Sequence, residues 1–360
     1  MTRFLSVSPL KHPLKIIFAI FFVTAPVACV TGTTTSNEEK NSGDSNVNEP
    51  FELVNQDHQL VGKIWDVKNQ QFINRQQLLD KALQSNYVML GETHDNIRHH
   101  QDHGWFIEKI SNQKPKTAVA MEMVNKEQAD GVNKETDKNL DKVINILEQA
   151  KVGWEYDKYY RPVFSSIINA GLTVYPADLE RATMMQVVRG DGEGTPEELQ
   201  ALLDKTPLPE DQQEALKTEI EKTHCGMINA EMTTAMMRGQ RTRDAAIANN
   251  LYKIRQSDEA TTVILVSGSG HIRKDRGAPM YLAAQDENAD IITIAWLEVD
   301  ENTTDPAEYL HRWGDDALPF DYVVFTPSAD RPDPCEEMRK FMEKHKKKHG
   351  DNKDSEKDDK

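Results

Sequence analysis

The chain has few cysteines, a deficit of basic residues and, after its first thirty residues, no long apolar run. Its 3 cysteines form no CxxC pair and no cysteine–histidine spacing typical of zinc sites, which excludes a zinc site built on those motifs. Cys225 and Cys335 could pair in an oxidising compartment, and the sequence leaves this open. With 43 basic against 59 acidic residues, the net charge of −16 makes nucleic acid an unfavourable partner. The hydrophobic fraction of 38% is that of ordinary soluble domains.

The first thirty residues differ in composition from the rest of the chain. Basic residues precede a short apolar stretch at 16–25, which is followed by "PVAC" at 26–29. The apolar stretch is too short to span a bilayer as a helix, so residues 1–28 are predicted to be an export signal. The segment "PVAC" resembles a bacterial lipobox, in which the cysteine receives lipid and becomes the mature N-terminus. Cys29 is therefore predicted to carry a lipid anchor, and the alternative is ordinary secretory cleavage in which Cys29 has no role.

The remainder of the chain is predicted to consist of a linker, one folded domain and a tail. Residues 29–50 are polar and rich in turn-forming residues, which predicts a disordered linker. The folded domain is expected at 51–330, and the mixed-charge segment 331–360 is predicted to be a solvated or disordered tail. The valine after the lipidated cysteine resembles sorting signals for the outer membrane. The expected location is therefore the outer membrane, with the domain facing the periplasm or the cell surface.

Several continuous apolar runs have the length of β-strands. Continuous rather than alternating runs are typical of strands buried on both faces of a parallel sheet. Segments of helical character separate these runs, so the sequence predicts an α/β fold with a mostly parallel central sheet flanked by helices. The predicted strands are 87–91, 117–123, 172–177, 261–268, 291–297 and 322–326, and the predicted helices are 97–112, 125–150, 159–170 and 275–286.

The interval from about 180 to 256 interrupts this alternation of strands and helices. It contains no strand-like run, has a turn-rich segment at 190–196 and continues with long helical stretches. The sequence therefore predicts a smaller helical subdomain, inserted into the α/β domain and lying over one edge of the sheet. Such a subdomain either covers a binding site or is a structural elaboration.

Charged and imidazole side chains follow four of the predicted strands at their carboxyl ends. Because the carboxyl ends of parallel strands meet at one edge of an open sheet, where ligand crevices form, these side chains should lie together. Two carboxylates and two neutral histidines are a normal ligand set for a divalent transition metal such as Zn²⁺ or Mn²⁺. The predicted metal ligands are Glu92, His94, Glu122 and His271, and Asp178 follows the remaining strand.

The residues around the first of these strand ends add detail to the predicted site. Glu92 and His94 are two residues apart, so in extended chain their side chains point to the same side. His99 and His103 share a helix face with apolar residues, which favours histidines at the core boundary over metal ligands. His100 lies on the adjacent face, toward the sheet edge, and is predicted to support the metal ligands.

An ordered set of motifs gives the chain a resemblance to a known family. The motifs are "GETHD" at 91–95, "AMEM" at 120–123, "HCGM" at 224–227, "GQRTRDAAIANNL" at 239–251 and "GSGH" at 268–271. Over about residues 75–300 the chain resembles the ChaN-like family of bacterial haem-binding uptake lipoproteins, within the Tiki superfamily. Four residues match positions of the metal site typical of that superfamily, namely Glu92, His94, Glu122 and His271. The residues expected to surround them are His100, Asp178, Gln240 and Arg243.

The resemblance implies that the chain binds haem and takes part in iron or haem uptake. In that family a tyrosine is described as the ligand of the haem iron. Tyr159 and Tyr160 are the candidates here, because Trp154 and Phe164 could flank a flat macrocycle. The alternative is that these tyrosines begin a helix and pack in the core. No CxxCH motif is present, which excludes covalent c-type attachment through it, and a homodimer is left open.

The same superfamily implies an alternative function, a metal-dependent hydrolase. In this hypothesis the metal held by the four predicted ligands activates water, and one of the glutamates acts as the general base. The polar cluster fits a metal better, whereas the family points to haem. The sequence therefore leaves both functions open.

Overall fold

The computed structural model describes residues 49–190, 192–257, 260–312 and 318–354. The predicted export signal, Cys29 and nearly all of the predicted linker lie outside these ranges, so the lipid anchor stays a prediction. Within the described ranges, no helix is both long enough and apolar enough to cross a membrane.

A mostly parallel sheet forms the centre of the described part of the chain. The strands are β1 (Leu53–Val54), β2 (Ile64–Asp66), β3 (Gln71–Ile73), β4 (Tyr87–Glu92), β5 (Thr117–Met121), β6 (Val174–Pro176), β7 (Thr262–Gly268), β8 (Ile291–Glu298), β9 (Tyr322–Thr326) and β10 (Ser328–Ala329). Eight of them form the central sheet in the order β3-β2-β9-β8-β4-β7-β5-β6, and β1 and β10 form a separate pair. The strands from β9 to β6 pair in parallel, and β2 joins β9 and β3 in antiparallel fashion. This confirms the predicted mostly parallel sheet.

Helices cover both faces of this sheet. They are α1 (Arg75–Ala82), α2 (Ile97–Ser111), α3 (Lys126–Lys134), α4 (Leu140–Gln149), α5 (Arg161–Ala170), α6 (Arg181–Arg189), α7 (Glu197–Lys205), α8 (Glu210–Thr223), α9 (Ala230–Gln256), α10 (Ala278–Gln285) and α11 (Pro334–Asp354). On one face, strand residues such as Leu90 and Val119 pack with α1 to α5 in one apolar cluster. On the other face, residues such as Met89 and Leu265 pack with α7, α9 and α10. Burial on both faces explains why the strands are continuous apolar runs.

The predicted helical insertion is present as α6, α7, α8 and the first half of α9. No strand occurs among the described residues between 180 and 256, as predicted. The predicted end of the insertion, however, is too far along the chain. Ala245, Ala248 and Leu251 in the second half of α9 are fully buried against the sheet, so this half belongs to the α/β core.

Three other predictions differ from the structure in detail. The helix predicted at 125–150 is two helices, because the chain turns at Lys138, which has a φ of 54°, and Asn139 caps α4. The helix predicted at 159–170 begins earlier, with a π-helical turn at Tyr156–Tyr160. The tail predicted at 331–360 contains the helix α11, and Cys335 at its start forms a disulfide with Cys225, with Cα atoms 5.7 Å apart. The disulfide that the sequence left open is thus formed in the structure.

Candidate functional site

The strand ends bring the predicted metal ligands to one place at the edge of the sheet. β4, β7 and β5 are neighbours, and their parallel register sets Glu92 beside Gly268 and Met121 beside Val266. Glu122 therefore follows β5 at the level where His94 and His271 follow β4 and β7. Glu92, Glu122 and His271 are buried, whereas the side chain of His94 is 36% exposed.

Glu122 lies at the centre of one half of the site. His94 Nε2 is 3.9 Å from Glu122 Oε2, and His271 Nε2 is 3.5 Å from Glu122 Oε1. The backbone N–H of Gly268 donates to Oε2 at 2.8 Å, and Arg243 Nη2 donates to Oε1 at 2.6 Å. A Cβ on Gly268 would lie 2.9 Å from His94 Nε2, so a larger residue there would displace the ring of His94.

Residues of α9 and the end of β6 hold this half of the site in position. His271 Nδ1 is 2.6 Å from Asp244 Oδ1 and 3.1 Å from Gln240 Nε2. Arg243 Nε donates to Asp178 Oδ2 at 2.7 Å. Gln240 and Arg243 thus contact the proposed ligands His271 and Glu122, and Asp178 contacts Arg243. Asp244 was not among the predicted site residues, although its place next to Arg243 in the same motif was a usable signal.

Glu92 is the centre of the other half, which we call the Glu92 cluster and define as Glu92, His94, His100, His103 and Tyr160. Glu92 Oε1 is 3.0 Å from His94 Nδ1 and 3.1 Å from His100 Nε2, and Oε2 is 3.1 Å from His103 Nδ1. Tyr160 donates its hydroxyl to Oε1 at 2.7 Å. The side chains of Glu92, His100 and His103 have no solvent-exposed area.

The structure separates the histidines of α2 into two kinds. His99 bonds Thr326 Oγ1 at 2.8 Å and accepts from the backbone N–H of Thr93 at 2.9 Å, so it is a hydrogen-bonded core histidine, as predicted. His100 contacts Glu92. His103 was expected to resemble His99 but belongs to the Glu92 cluster, because its position three residues after His100 turns both rings toward β4.

Two opposing effects determine the pKa of Glu92. Burial alone would raise the pKa of Glu92, but the neighbouring rings of His100, His103 and His94 outweigh it and hold the pKa well below its usual range. Burial, together with the carboxylate of Glu92, raises the pKa of Tyr160 well above its ordinary value. Glu92 is therefore an ionised carboxylate at neutral pH, and Tyr160 is a neutral phenol that donates to it.

The same balance acts in the half of the site around Glu122. Burial would raise the pKa of Glu122, but His271, His94 and Arg243 hold it well below its usual range. Burial would lower the pKa of His271, but Glu122 and Asp244 raise it to about 10 despite the opposing charge of Arg243. The pKa of His94 is also raised, because the carboxylates of Glu122 and Glu92 outweigh the effect of its burial. In this structure the carboxylate of Glu122 is thus paired with the guanidinium of Arg243 and the imidazolium of His271.

This charge pairing bears on the predicted metal. The prediction assumed that the buried charges would be costly unless paired or bound to metal, and the structure pairs them. Across the described ranges, no group of three or more His, Cys, Asp or Glu side chains is arranged to hold a metal ion. A metal at Glu92, His94, Glu122 and His271 therefore stays a hypothesis.

A cavity of about 350 Å³ opens over the polar site, between the helical insertion and the turn after β7. His94, Glu122, Arg243 and His271 form its polar part. The apolar part is lined by side chains of α6, α8 and α9, namely Met184, Val188, Leu216, Ile220 and Met236. Glu219, His224, Arg273 and Arg276 also line the cavity. The insertion therefore covers the site, one of the two roles considered from the sequence.

The tyrosines proposed as haem ligands lie away from this cavity. Tyr159 is 2% exposed and Tyr160 is 1% exposed, and both belong to the apolar cluster between the sheet and α5. Neither lines the cavity. Phe164 is fully buried, and Trp154 contacts the ring of His94 with ring centroids 4.8 Å apart. The structure thus favours the packing interpretation for Tyr159 and Tyr160, and haem ligation by either stays a prediction.

Fold and site together define a class of protein: an α/β domain whose strand ends carry histidines and carboxylates beneath a helical insertion. A family model described as "Haem-binding uptake, Tiki superfamily, ChaN" matches residues 78–282, more than half of the chain. The chain belongs to this family, which confirms the resemblance drawn from its motifs.

The solved structure of one ChaN protein agrees with the fold. ChaN of Campylobacter jejuni, in a structure of cofacial haem binding, is 19% identical, with a TM-score of 0.56 over 72% of this chain and 95% of the other. The erythromycin esterase EreC is 13% identical, with a TM-score of 0.43 over 72% of this chain and 95% of the other. The type III effector HopBA1 is 14% identical, with a TM-score of 0.39 over 70% and 92%. No curated protein gives a significant match.

Proposed function

We propose that this protein binds haem in the cavity over the strand ends and serves haem or iron uptake. Family membership supports haem as the ligand. The observation that carries the proposal is the mixed lining of the cavity, in which apolar and methionine side chains lie beside arginine and histidine. A porphyrin needs an apolar wall for its faces, cations for its propionates and a donor atom for its iron. The residues of this cavity offer all three.

The two halves of the lining have different parts in this proposal. Met184, Leu216 and Met236 would contact the apolar macrocycle. Arg273 and Arg276 are 1% and 4% exposed and both lie at the carboxylate of Glu219, so their guanidinium groups are held in place beside the cavity. Guanidinium groups bind carboxylates through paired hydrogen bonds, which suits haem propionates.

Titration with haemin is expected to produce a protein-specific Soret band with a defined stoichiometry. Met236→Glu should weaken haemin binding at least about tenfold, because a carboxylate would enter the apolar wall. Met232→Glu is the matched control, since Met232 lies one turn earlier on α9 and does not line the cavity. The measurement is the absorption titration of the three proteins. A spectrum of free haemin at every ratio would refute haem binding by this protein.

A metal-dependent hydrolase is the second candidate function, and one observation favours it. The buried carboxylate of Glu92 contacts His94 at Nδ1 and fixes its ring. The ring is partly exposed and lines the cavity. A histidine oriented in this way by a carboxylate is suited to bind a metal through its other ring nitrogen. A divalent metal at Glu92, His94, Glu122 and His271 would supply Lewis acidity.

The hydrolase hypothesis predicts cleavage of activated esters such as p-nitrophenyl acetate in the presence of Zn²⁺ or Mn²⁺. His94→Gln should lower the rate about 100-fold or more, because a metal ligand oriented by a buried carboxylate would be lost. His58→Gln is the control, because His58 contacts only the backbone of its own turn in the hydrogen bonds of the described residues. Rates that are equal in wild type and His94→Gln, with or without metal, would reject the hypothesis.

A further inference from the structure

Two buried arginines on the turn after β7 line the cavity beside helix α8. Arg273 is 1% exposed and Arg276 is 4% exposed. Asp275, from the same turn, accepts from Arg273 Nε at 3.0 Å and from Arg273 Nη2 at 2.5 Å. Within residues 271–277 this is the one carboxylate for two guanidinium groups. Because a buried cation is costly unless an anion faces it, the arginine pair favours a second carboxylate from outside the turn.

The helical insertion supplies that second carboxylate. Glu219 of α8 accepts from Arg276 Nη2 through its Oε2 atom, and the same oxygen lies 3.5 Å from Arg273 Nη1. The side chain of Glu219 is 34% exposed and lines the cavity together with the two arginines. Glu219 therefore places an anion between the guanidinium groups, where a carboxylate of a ligand would bind them.

Helix α8 packs apart from the main core. Its residues Leu216 and Ile220 are buried in a small apolar cluster, whereas the two large clusters on the sheet faces contain no described residue of α8. A second polar contact to the turn is made by Gln212, whose Oε1 accepts from Arg276 at 3.0 Å. Just beyond the helix, the disulfide of Cys225 ties the chain to α11. Elements with few buried apolar contacts open at a lower free-energy cost than the core, so α8 can separate from the turn while its end stays in place.

We infer that Arg273 and Arg276 form a subsite for a carboxylate of the bound ligand, and that Glu219 occupies this subsite until the ligand displaces it. The inference rests on the proposed function, in which the haem propionates are the carboxylates concerned. Leu216 and Ile220 flank Glu219 along α8 and line the cavity, so an apolar macrocycle against them would bring a carboxylate at its edge to the arginines.

Displacement of Glu219 makes the cavity selective for anionic ligands. A ligand carboxylate replaces the contacts that the arginines lose, and the freed carboxylate of Glu219 is hydrated in solvent. A neutral ligand of the same shape offers the arginines no such replacement. Because the anionic ligand competes with a carboxylate of the protein itself, its apparent affinity is lower than the subsite alone would give.

The first test is a fluorescence titration with iron-free protoporphyrin IX and with its dimethyl ester, which keeps the macrocycle and lacks the two carboxylates. Wild type should bind the acid at least about tenfold more tightly than the ester, because the acid alone can pair with the arginines. Glu219→Gln should bind the acid at least about fivefold more tightly than wild type does, because the competing anion is removed. Its affinity for the ester should stay within about twofold of wild type.

Two further variants make this titration specific. Arg276→Gln should lose most of the preference for the acid over the ester, because one guanidinium of the subsite is absent. Glu214→Gln is the matched control, since Glu214 lies on the same helix in an exposed ion pair with Lys217 and does not line the cavity. It should bind both porphyrins as wild type does. Far-UV circular dichroism of each variant establishes that it is folded.

Hydrogen exchange of the ligand-free proteins tests the contact between α8 and the turn without any ligand. The backbone amides of α8 should exchange at least about threefold faster in Glu219→Gln than in wild type, because the ion pair that holds the helix to the arginines is lost. Exchange in Glu214→Gln should match wild type. Equal exchange of α8 in Glu219→Gln and wild type would overturn the inference.

The titration can also overturn the inference, and its outcomes differ from failure of the proposed function. Equal affinities of wild type for the acid and the ester, or no tightening of the acid in Glu219→Gln, would refute the subsite even where haemin binds. Absence of binding of the acid to every variant would refute it as well. Haemin that keeps the spectrum of free haemin, while protoporphyrin IX binding depends on Glu219 as expected, would reject haem as the ligand and support the carboxylate subsite.

Discussion

Glu92→Gln is expected to lower the free energy of unfolding by about 3–5 kcal/mol, the usual cost of removing one partner from a buried charged pair. The carboxylate of Glu92 is buried and faces the rings of His94, His100 and His103. Glutamine preserves the shape but replaces one acceptor oxygen by an amide that donates hydrogen bonds. That amide would face N–H and O–H donors, and their polar atoms would remain buried without an acceptor.

The measurement is urea denaturation at neutral pH, in which the midpoint should fall while the slope stays constant. Glu214→Gln is the matched control. Its carboxylate forms an exposed ion pair with Lys217 at 2.9 Å, and removal of such a pair changes stability by less than about 1 kcal/mol. A loss in Glu92→Gln no larger than that in Glu214→Gln would show that the Glu92 cluster does not stabilise the fold.

The position of the site could be predicted from the sequence because it depends on strand topology. Runs of apolar residues identify β4, β5 and β7, and parallel strands share one carboxyl edge, so Glu92, Glu122 and His271 had to meet if the sheet was parallel. His103 was misplaced because the sequence shows its helix face but not which strand that face meets. The same face carries Phe106 and Ile110, which do enter the core.

Other features depend on contacts between distant segments, which local patterns do not encode. Cys225 and Cys335 are 110 residues apart, and their pairing follows only from the docking of α11 beside the end of α8. The strands β1, β2 and β3 have two or three residues each, too few for a periodicity to be recognised. The neutralisation of Glu122 by Arg243 likewise requires α9 to pack across the strand ends. This last contact changes the interpretation of the site, because it removes the need for a metal to balance the charge.

The stability of the metal-free protein is expected to fall as the pH rises from about 7 to 9.5, and His271→Gln should remove most of this fall. The pKa of His271 is raised from 6.5 to about 10 by Glu122 and Asp244 against the effect of burial. A folded-state pKa above the unfolded one gives stability that is fully present below the unfolded value and is lost as pH rises toward the folded value. A shift of this size corresponds to about 3–5 kcal/mol, most of it lost within that range.

The experiment measures the free energy of unfolding of wild type, His271→Gln and His58→Gln in EDTA at several pH values in this range. His271→Gln should be less stable than wild type at pH 7 and nearly independent of pH, with a small residual slope from His94, whose pKa is raised in the same direction. His58→Gln should retain the wild-type slope. Replacing EDTA by Zn²⁺ tests the metal hypothesis in the same assay, because a bound metal takes the place of the proton and would abolish the fall in stability. Equal slopes in wild type and His271→Gln would show that His271 is not charged in the folded protein, and that the site is neutralised in another way.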